Sequence, residues 1–463
     1  MLKKQSTSNQ GDLFRSRLDQ IINMRHELVI LSGLIDWDYF ESEFRDCYCL
    51  DNGRAAISIR MKVGLTILQS IYNLSDEAVV EDWVRDPYFQ YFCGEEFFCH
   101  DFPIDPSGLT RFRQKLGEEG MNKILQQTVK IGVNLKIVKS KSDLTQVNID
   151  STVQEKNITY PTDSKLLNKA RIALVKRAND FNLDLRQNYN FLAKRALFLG
   201  GLYRRQRKNK LAKKQDRKLQ TYLRRVIADF ERKANSEQLL NSKEIIAKAR
   251  RILNQQIKDK DKIYSWHEDT SVICFSKGKA HKKYEFGSKA TICSTNKSNF
   301  ILGILTESKN RYDGHILNDI IEKTQSNINT QIQKLFLDKG YRGNNYPNKD
   351  RIFISGQKKK SINSTIRKKL KRRNAIEQIN SILKNHHRLQ RSYLKGEIGD
   401  QINATMAGFS YNFKRILQKI TKILFIHIFY HKITLEIRKI IRKFENLIGG
   451  WKENGLGNRV LQG

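Results

Sequence analysis

Two short apolar runs in this chain each end on an aspartate: Val147 and Ile149 lead to Asp150, and Leu335, Phe336 and Leu337 lead to Asp338. A carboxylate just past a buried strand emerges at the strand's end, where open α/β sheets place their sites. A third acid, Glu377, stands alone in the cationic stretch RRNAIEQINSILK, residues 372–384. Arg373 precedes it by four residues and Lys384 follows it by seven, so on one helix all three fall along a single stripe. Three carboxylates from two strands and a helix suit a pair of Mg²⁺ ions, because hard cations take oxygen ligands and keep positions open for phosphate and water. Two such ions can activate an attacking oxygen and stabilise a leaving one, with Arg373 and Lys384 holding phosphates beside them. This chemistry requires that Asp150, Asp338 and Glu377 converge.

The elements that must position these residues follow from pattern. Residues 12–135 read as helical. Ser75–Asp76–Glu77 opens a helix carrying Val79, Val80 and Trp83, Pro87 ends it, and Asp105 or Ser107 caps another with Pro106 at its start. LTQVNIDSTV is a short β-branched run ending at Asp150. Residues 165–262 then return to amphipathic helix. SVICFSKG, YEFGSKATICSTN and FILGILTES read as strands, followed by a helix at roughly 314–330, the run QKLFLDKGYRG, the run RIFISG, and one long basic helix from about 361 to 390. Strands mixed with helices in this order indicate an α/β domain interrupted by a helical insertion. Ile376, Ile379 and Leu383 would anchor the basic helix to the sheet. The glycine-bracketed KGYRG after Asp338 lets backbone approach a ligand closely.

Charge narrows the function. The chain of 463 residues has a net charge of +37, very unevenly placed. Residues 1–150 hold 18 basic and 22 acidic side chains, so the entire excess lies beyond them, with 28 basic against 9 acidic in 165–262 alone. A one-signed excess of that size repels itself unless a polyanion meets it, and nucleic acid is the expected partner. An anionic membrane surface is the competing reading. The N-terminus lacks the apolar core of a signal peptide, and the most apolar run (420–433) is too short and too interrupted by charge to span a bilayer. A cytoplasmic, DNA-binding protein is therefore expected, with its six cysteines as small buried residues rather than disulfides. His281, Lys283 and Glu285 alternate along a strand and could line the site, or Glu285 could pair with a lysine. Asp313 reads as a helix cap, and His315, His386 and His387 as surface or core histidines.

With these residues in place, the sequence resembles the InsH-like insertion-sequence transposases of the Asp-Asp-Glu (DDE) superfamily, over about residues 12–418. The resemblance rests on GRAAISIRMKVGLTIL, LSDEAVVEDWVRDPYFQYFCGE, DPSGLTRFRQKLGEEG, NIDSTVQEKNITYPTD, KGKAHKKYEFGSK, YDGHIL, DKGYRG and RRNAIEQINSILKNHHRL. It implies a ribonuclease-H-like mixed sheet with flanking helices, preceded by an all-α N-terminal domain and interrupted by the basic helical insertion. In that family the first Asp ends the opening strand, the second precedes the Gly-Tyr turn, and the Glu lies in an Arg-x3-Glu-x6-Lys signature. These fall on Asp150, Asp338 and Arg373–Glu377–Lys384. The implied parts are residues 1–140 for DNA-end recognition, 143–418 for catalysis with 165–262 inserted, and 419–463 as a C-terminal helix and tail. The implied cofactor is Mg²⁺ as two ions, with Mn²⁺ able to substitute. Double-stranded DNA is the implied partner and a homodimer or higher assembly forms on it. Tyr341, Arg342 and Arg388 join Arg373 and Lys384 as expected DNA contacts. One position departs from the family: Leu370 stands where the wider signature has a tyrosine three residues before the arginine. A non-catalytic DNA-binding protein derived from such an enzyme is the alternative.

Overall fold

The computed structural model describes residues 16–48, 57–139, 141–256, 258–259, 262–267, 272–276, 282–356 and 362–453. Helices α1 (Leu18–Ile21), α2 (Glu27–Leu34), α3 (Trp37–Phe44), α4 (Ile59–Tyr72), α5 (Asp76–Arg85), α6 (Pro87–Phe92) and α7 (Pro106–Asn134) come first. Their starts follow local chemistry. Ser75 accepts a hydrogen bond from the Ala78 N–H at the head of α5, and Asp105 caps α7 with Pro106 at its first position. Helix α7 kinks at Gly117, whose φ of 61° a residue with a Cβ rarely adopts. After the short α8 (Lys141–Leu144) comes strand β1 (Gln146–Lys156).

Four helices, α9 (Asp163–Asp180), α10 (Asn190–Arg205), α11 (Asn209–Lys233) and α12 (Ser236–Asn254), separate β1 from the rest of the sheet and close a core of their own. Leu174, Leu223, Val226 and Phe230 lie in it, and Arg205, Arg207, Lys208, Lys213, Lys214 and Arg217 face outward. Next come β2 (Ile273–Ser276), β3 (Tyr284–Thr295), β4 (Ile301–Glu307), α13 (Asp313–Ile328), β5 (Lys334–Leu337), β6 (Ile352–Ile354), α14 (Ser364–Arg372), α15 (Ala375–His386), β7 (Arg391–Ser392) and α16 (Gly396–Glu453). The sheet runs β2-β3-β1-β5-β6, with β4 beside β3 and β7 beside β1. Strands β1, β3 and β4 are antiparallel neighbours; β1, β5 and β6 are parallel. This is the mixed α/β sheet of a ribonuclease-H-like fold.

Three expectations need correction. Strand β1 does not end at Asp150 but continues six residues to Lys156, because the twelve-residue β3 pairs with it from Val147 to Glu155. The basic helix expected over 361–390 is two helices, broken at Arg373 and Asn374. There the N–H groups of Ile376 and Glu377 bond back to the carbonyls of Arg373 and Asn374, three residues earlier. The C-terminal helix, expected to begin after 418, starts at Gly396 and crosses that boundary unbroken.

One apolar core runs from α2 and α4 through the sheet to α16, so the first helices and the sheet share an interior. A polar network lies at the far end of β1. Lys156 Nζ meets Asp400 Oδ1 at 2.8 Å, with both side chains 2% exposed, and also donates to the carbonyls of Leu394 and Gly396. Gln154 donates to the Asp400 carbonyl and accepts from Asn403, tying β1 to the start of α16. No helix among the described residues is long and apolar enough to cross a membrane.

Candidate active site

Pairing between β1 and β5 sets the first two acids side by side. Asn148 stands opposite Phe336 in a parallel register, so two residues further on Asp338, just past the end of β5, comes level with Asp150. Because side chains alternate along a strand, both acids leave the sheet on the same face. Beyond this level β5 is gone and β7 does not join β1 until Glu155. The edge of β1 around Asp150 is left to α15, which buries Ile376, Ile379 and Leu383 and turns Glu377 outward.

One guanidinium ties the three together. Arg373 Nη2 lies 3.3 Å from Asp150 Oδ1, and its Nη1 lies 3.6 Å from both Asp338 Oδ1 and Glu377 Oε1. The Asp338 and Glu377 oxygens are therefore no more than twice that distance apart. The site opens from a buried floor to the surface: the side chains of Asp150, Asp338 and Glu377 are 18%, 47% and 68% exposed. Burial pushes the Asp150 carboxyl above the ordinary range. The Arg373 cation opposes that shift, while Asp338 and Glu377 add to it.

Arg373 thus stands inside the acidic cluster, 6% exposed, and not on a surface that meets phosphate. The break between α14 and α15 brings it there. Leu370, at the position where the family signature has tyrosine, packs against the small core of Phe336, Phe353 and Ile366. Lys384 is half-buried two turns beyond Glu377, and Arg342 is exposed. Two further expected DNA contacts are taken up by the fold. Tyr341 is 1% exposed and shares a hydrogen bond of 3.0 Å between its hydroxyl and Ser151 Oγ, because the turn after β5 folds its ring inward. Arg388 donates to Asn73 Oδ1 at 2.8 Å and to the Asn73 carbonyl at 3.1 Å, clamping the end of α4. His387 is buried against Ser410 Oγ, and burial lowers its pKa to about 4.

Glu285 is buried but lies seven residues along β3 from Ile292, the partner of Asp150, so about 23 Å away at the strand rise. It is not part of this site; Lys283 is exposed just before that strand, and His281 lies outside the described residues. Asp313 is the first residue of α13 rather than its cap, and it pairs with Lys289 at 2.8 Å.

Asn380 escaped the sequence reading. It lies one turn after Glu377, and its Nδ2 donates to Asp150 Oδ2 at 2.9 Å, so Asp150 is held through one oxygen by Arg373 and through the other by Asn380. The only available signal was spacing: a polar residue at i+3 from Glu377, flanked by the buried Ile379.

Three carboxylates are the donor type that a hard divalent cation takes, and here all three lie against one guanidinium. As they stand, no three acidic, histidine or cysteine side chains among the described residues are close enough to share a metal ion. The reason is visible in the geometry: the Arg373 guanidinium sits between the carboxylates and supplies their counter-charge. By residue type the three acids suit a cation, while in this arrangement the arginine stands between them.

Comparison with known proteins adds the following. A family model described as a transposase domain (DUF772) matches residues 16–115, and one described as a transposase DDE domain matches residues 268–413. The second takes in Asp338, Arg373, Glu377 and Asn380; Asp150 and the four-helix insertion lie between the two matches. The chain is also 45% identical, over 196 residues, to an uncharacterized protein of Rhizobium meliloti, ORF8 in the nfe locus, covering 42% of this chain and 94% of that protein. No solved structure matches the chain.

Proposed function

The chain belongs to the DDE transposases, and on that premise we propose that it cuts DNA at the ends of an insertion sequence and joins the freed ends to target DNA. The observation that carries the reading is the meeting of Asp150, Asp338 and Glu377 on a single guanidinium at the open edge of β1. In the proposed reaction water attacks the phosphodiester at the element's end. A bond forms from the water oxygen to phosphorus and the bond to O3′ breaks, leaving a 3′-OH on the element and a 5′-phosphate on the flank. The 3′-OH then attacks a target phosphodiester: its oxygen bonds to phosphorus as the target strand's own P–O3′ bond breaks and releases a target 3′-OH, with no covalent link to the protein.

The DDE family works with divalent metal. In this chain Asp150, Asp338 and Glu377 would hold two Mg²⁺ ions, with Mn²⁺ able to substitute, and the ions would activate the attacking oxygen and stabilise the leaving one. The protein's own contribution is positioning. Arg373 and Asn380 fix both oxygens of Asp150, the parallel register fixes Asp338 beside it, and the buried stripe of α15 fixes the height of Glu377. Arg342 and Lys384 would contact the phosphates. Residues 1–140 would recognise the terminal inverted repeats, residues 143–418 would carry the chemistry, and the outward cations of 165–262 would grip the duplex. The repeats must be processed as a pair, so two or more copies would act together.

The test is cleavage of a labelled duplex carrying the element's own terminal repeat, with and without Mg²⁺, by the native chain and by Glu377→Gln. Cleavage that needs Mg²⁺ and disappears in the variant is expected, with DNA retention in a gel unchanged. Retention without cleavage in either protein would instead indicate a DNA-binding derivative of a transposase. Asn380→Ala is expected to slow cleavage about ten- to a hundredfold, the usual cost of removing a group that orients a metal-binding side chain. Its DNA retention should not change; a full-rate Asn380→Ala enzyme would remove Asn380 from the site.

A further inference from the structure

Helix α16 changes character along its length. Ile402, Phe409, Phe413, Ile416 and Ile420 are buried in the main core, and Thr421 Oγ1 donates to Glu27 at 2.5 Å. Among the described residues Leu424 is the last that packs against that core. From there the helix continues to Glu453, about 44 Å at 1.5 Å per residue. Its exposed side chains are not those of a solvated helix: Ile423, Ile426, Phe429, Ile433 and Ile437 are 41–71% exposed, as are Phe425 and Leu435. A helix in water draws most of its stability from packing an apolar face, and among the described residues these side chains are left exposed.

The sequence says what would cover it. Residues 423, 426, 430, 433, 437, 440, 444, 447 and 451 alternate steps of three and four, and they are Ile, Ile, Tyr, Ile, Ile, Ile, Phe, Leu and Trp. Nine consecutive apolar positions at that repeat are the seam of a left-handed coiled coil, where each residue enters a hole formed by four residues of a facing helix. Arg438 and Lys439 fall outside the seam and are exposed. Phe425, Phe429 and Leu435 also fall outside it. A seam of this length needs a partner helix with the same repeat in the same length, and a second copy supplies one by symmetry.

We propose that residues 423–451 of α16 form a coiled coil with the same segment of a second copy, joining two protomers before DNA is bound. This is independent of the catalytic reading, because it is measured without DNA or metal. Sedimentation velocity of the full chain at a few micromolar in high salt is expected to give a dimer. Ile426→Asp/Ile433→Asp, two exposed seam positions that no protomer core needs, should weaken dimerisation at least tenfold and give monomers. Leu435→Asp, equally exposed but off the seam, should remain dimeric, and circular dichroism of each variant checks that the body is folded. The proposal fails if the native chain is a monomer at tens of micromolar, if it binds anionic vesicles through this helix instead, or if both sets of substitutions dissociate it equally.

Discussion

Asp150→Asn is expected to lower DNA cleavage by about a thousandfold or more, roughly 4 kcal/mol of transition-state stabilisation, without destabilising the fold. The two halves of this result have different causes. Cleavage falls because the amide replaces a charged oxygen ligand with a neutral one at the buried floor of the cluster, where nothing else can substitute. Stability holds because Asp150 is charged at a cost: burial raises its pKa, and Asp338 and Glu377 raise it further. Asparagine has the same shape and no charge to desolvate, and Arg373 keeps its two remaining carboxylates. The melting temperature measured without divalent metal should therefore stay level or rise. A variant that cuts DNA within tenfold of the native rate would take Asp150 out of the chemistry. One that loses cleavage only because it melts early would make its role structural.

Arg373 gives this prediction its sharper form. In the absence of metal its single positive charge lies against all three carboxylates, so a cation entering the cluster must share or displace its contacts. The lone acid in a basic stretch and the lone arginine inside an acidic cluster are then one device seen from two sides. Glu377 is tolerated among cations because it faces the site, and three converging acids are tolerated because Arg373 reaches them.

Much of this was legible in the residues, and the misses have identifiable causes. Short buried parallel strands read as apolar runs, so β5 and the position of Asp338 just beyond it were visible. Strand β1 was cut short because STVQEK looks polar, yet Gln154 and Lys156 point into a buried network whose partners, Asp400 and Asn403, lie nearly 250 residues away. The helix break at Arg373 carries no glycine or proline to announce it; tertiary contact with Asp150 and Asp338 imposes it. Arg388 and Tyr341 sit near the signature in sequence, but their partners, Asn73 and Ser151, are distant along the chain. Sequence proximity to a site cannot distinguish a side chain that faces it from one that holds up the wall behind.

The largest effect on stability is expected at that wall. Lys156→Met should cost about 3–5 kcal/mol at neutral pH, because it strands the Asp400 carboxylate, 2% exposed, without its cation. The sign of the pH dependence follows from Asp400 itself. Burial already raises its pKa to about 6 even with Lys156 opposing the shift, so the folded state takes up a proton that the unfolded state releases near 4. Stability contributed by that proton is present below pH 4 and is lost as pH rises through the folded value. Without Lys156 the folded value climbs further, so the variant should be least damaged near pH 5 and most damaged near pH 8 in urea denaturation. Lys156→Met/Asp400→Leu, which removes both charges, should recover most of the loss. Since β1 carries Asp150 six residues earlier on the same strand, the single variant should also lose cleavage in step with its folded fraction. Equal destabilisation at both pH values would mean that packing of the lysine stem, rather than the buried charge pair, holds β1 to α16.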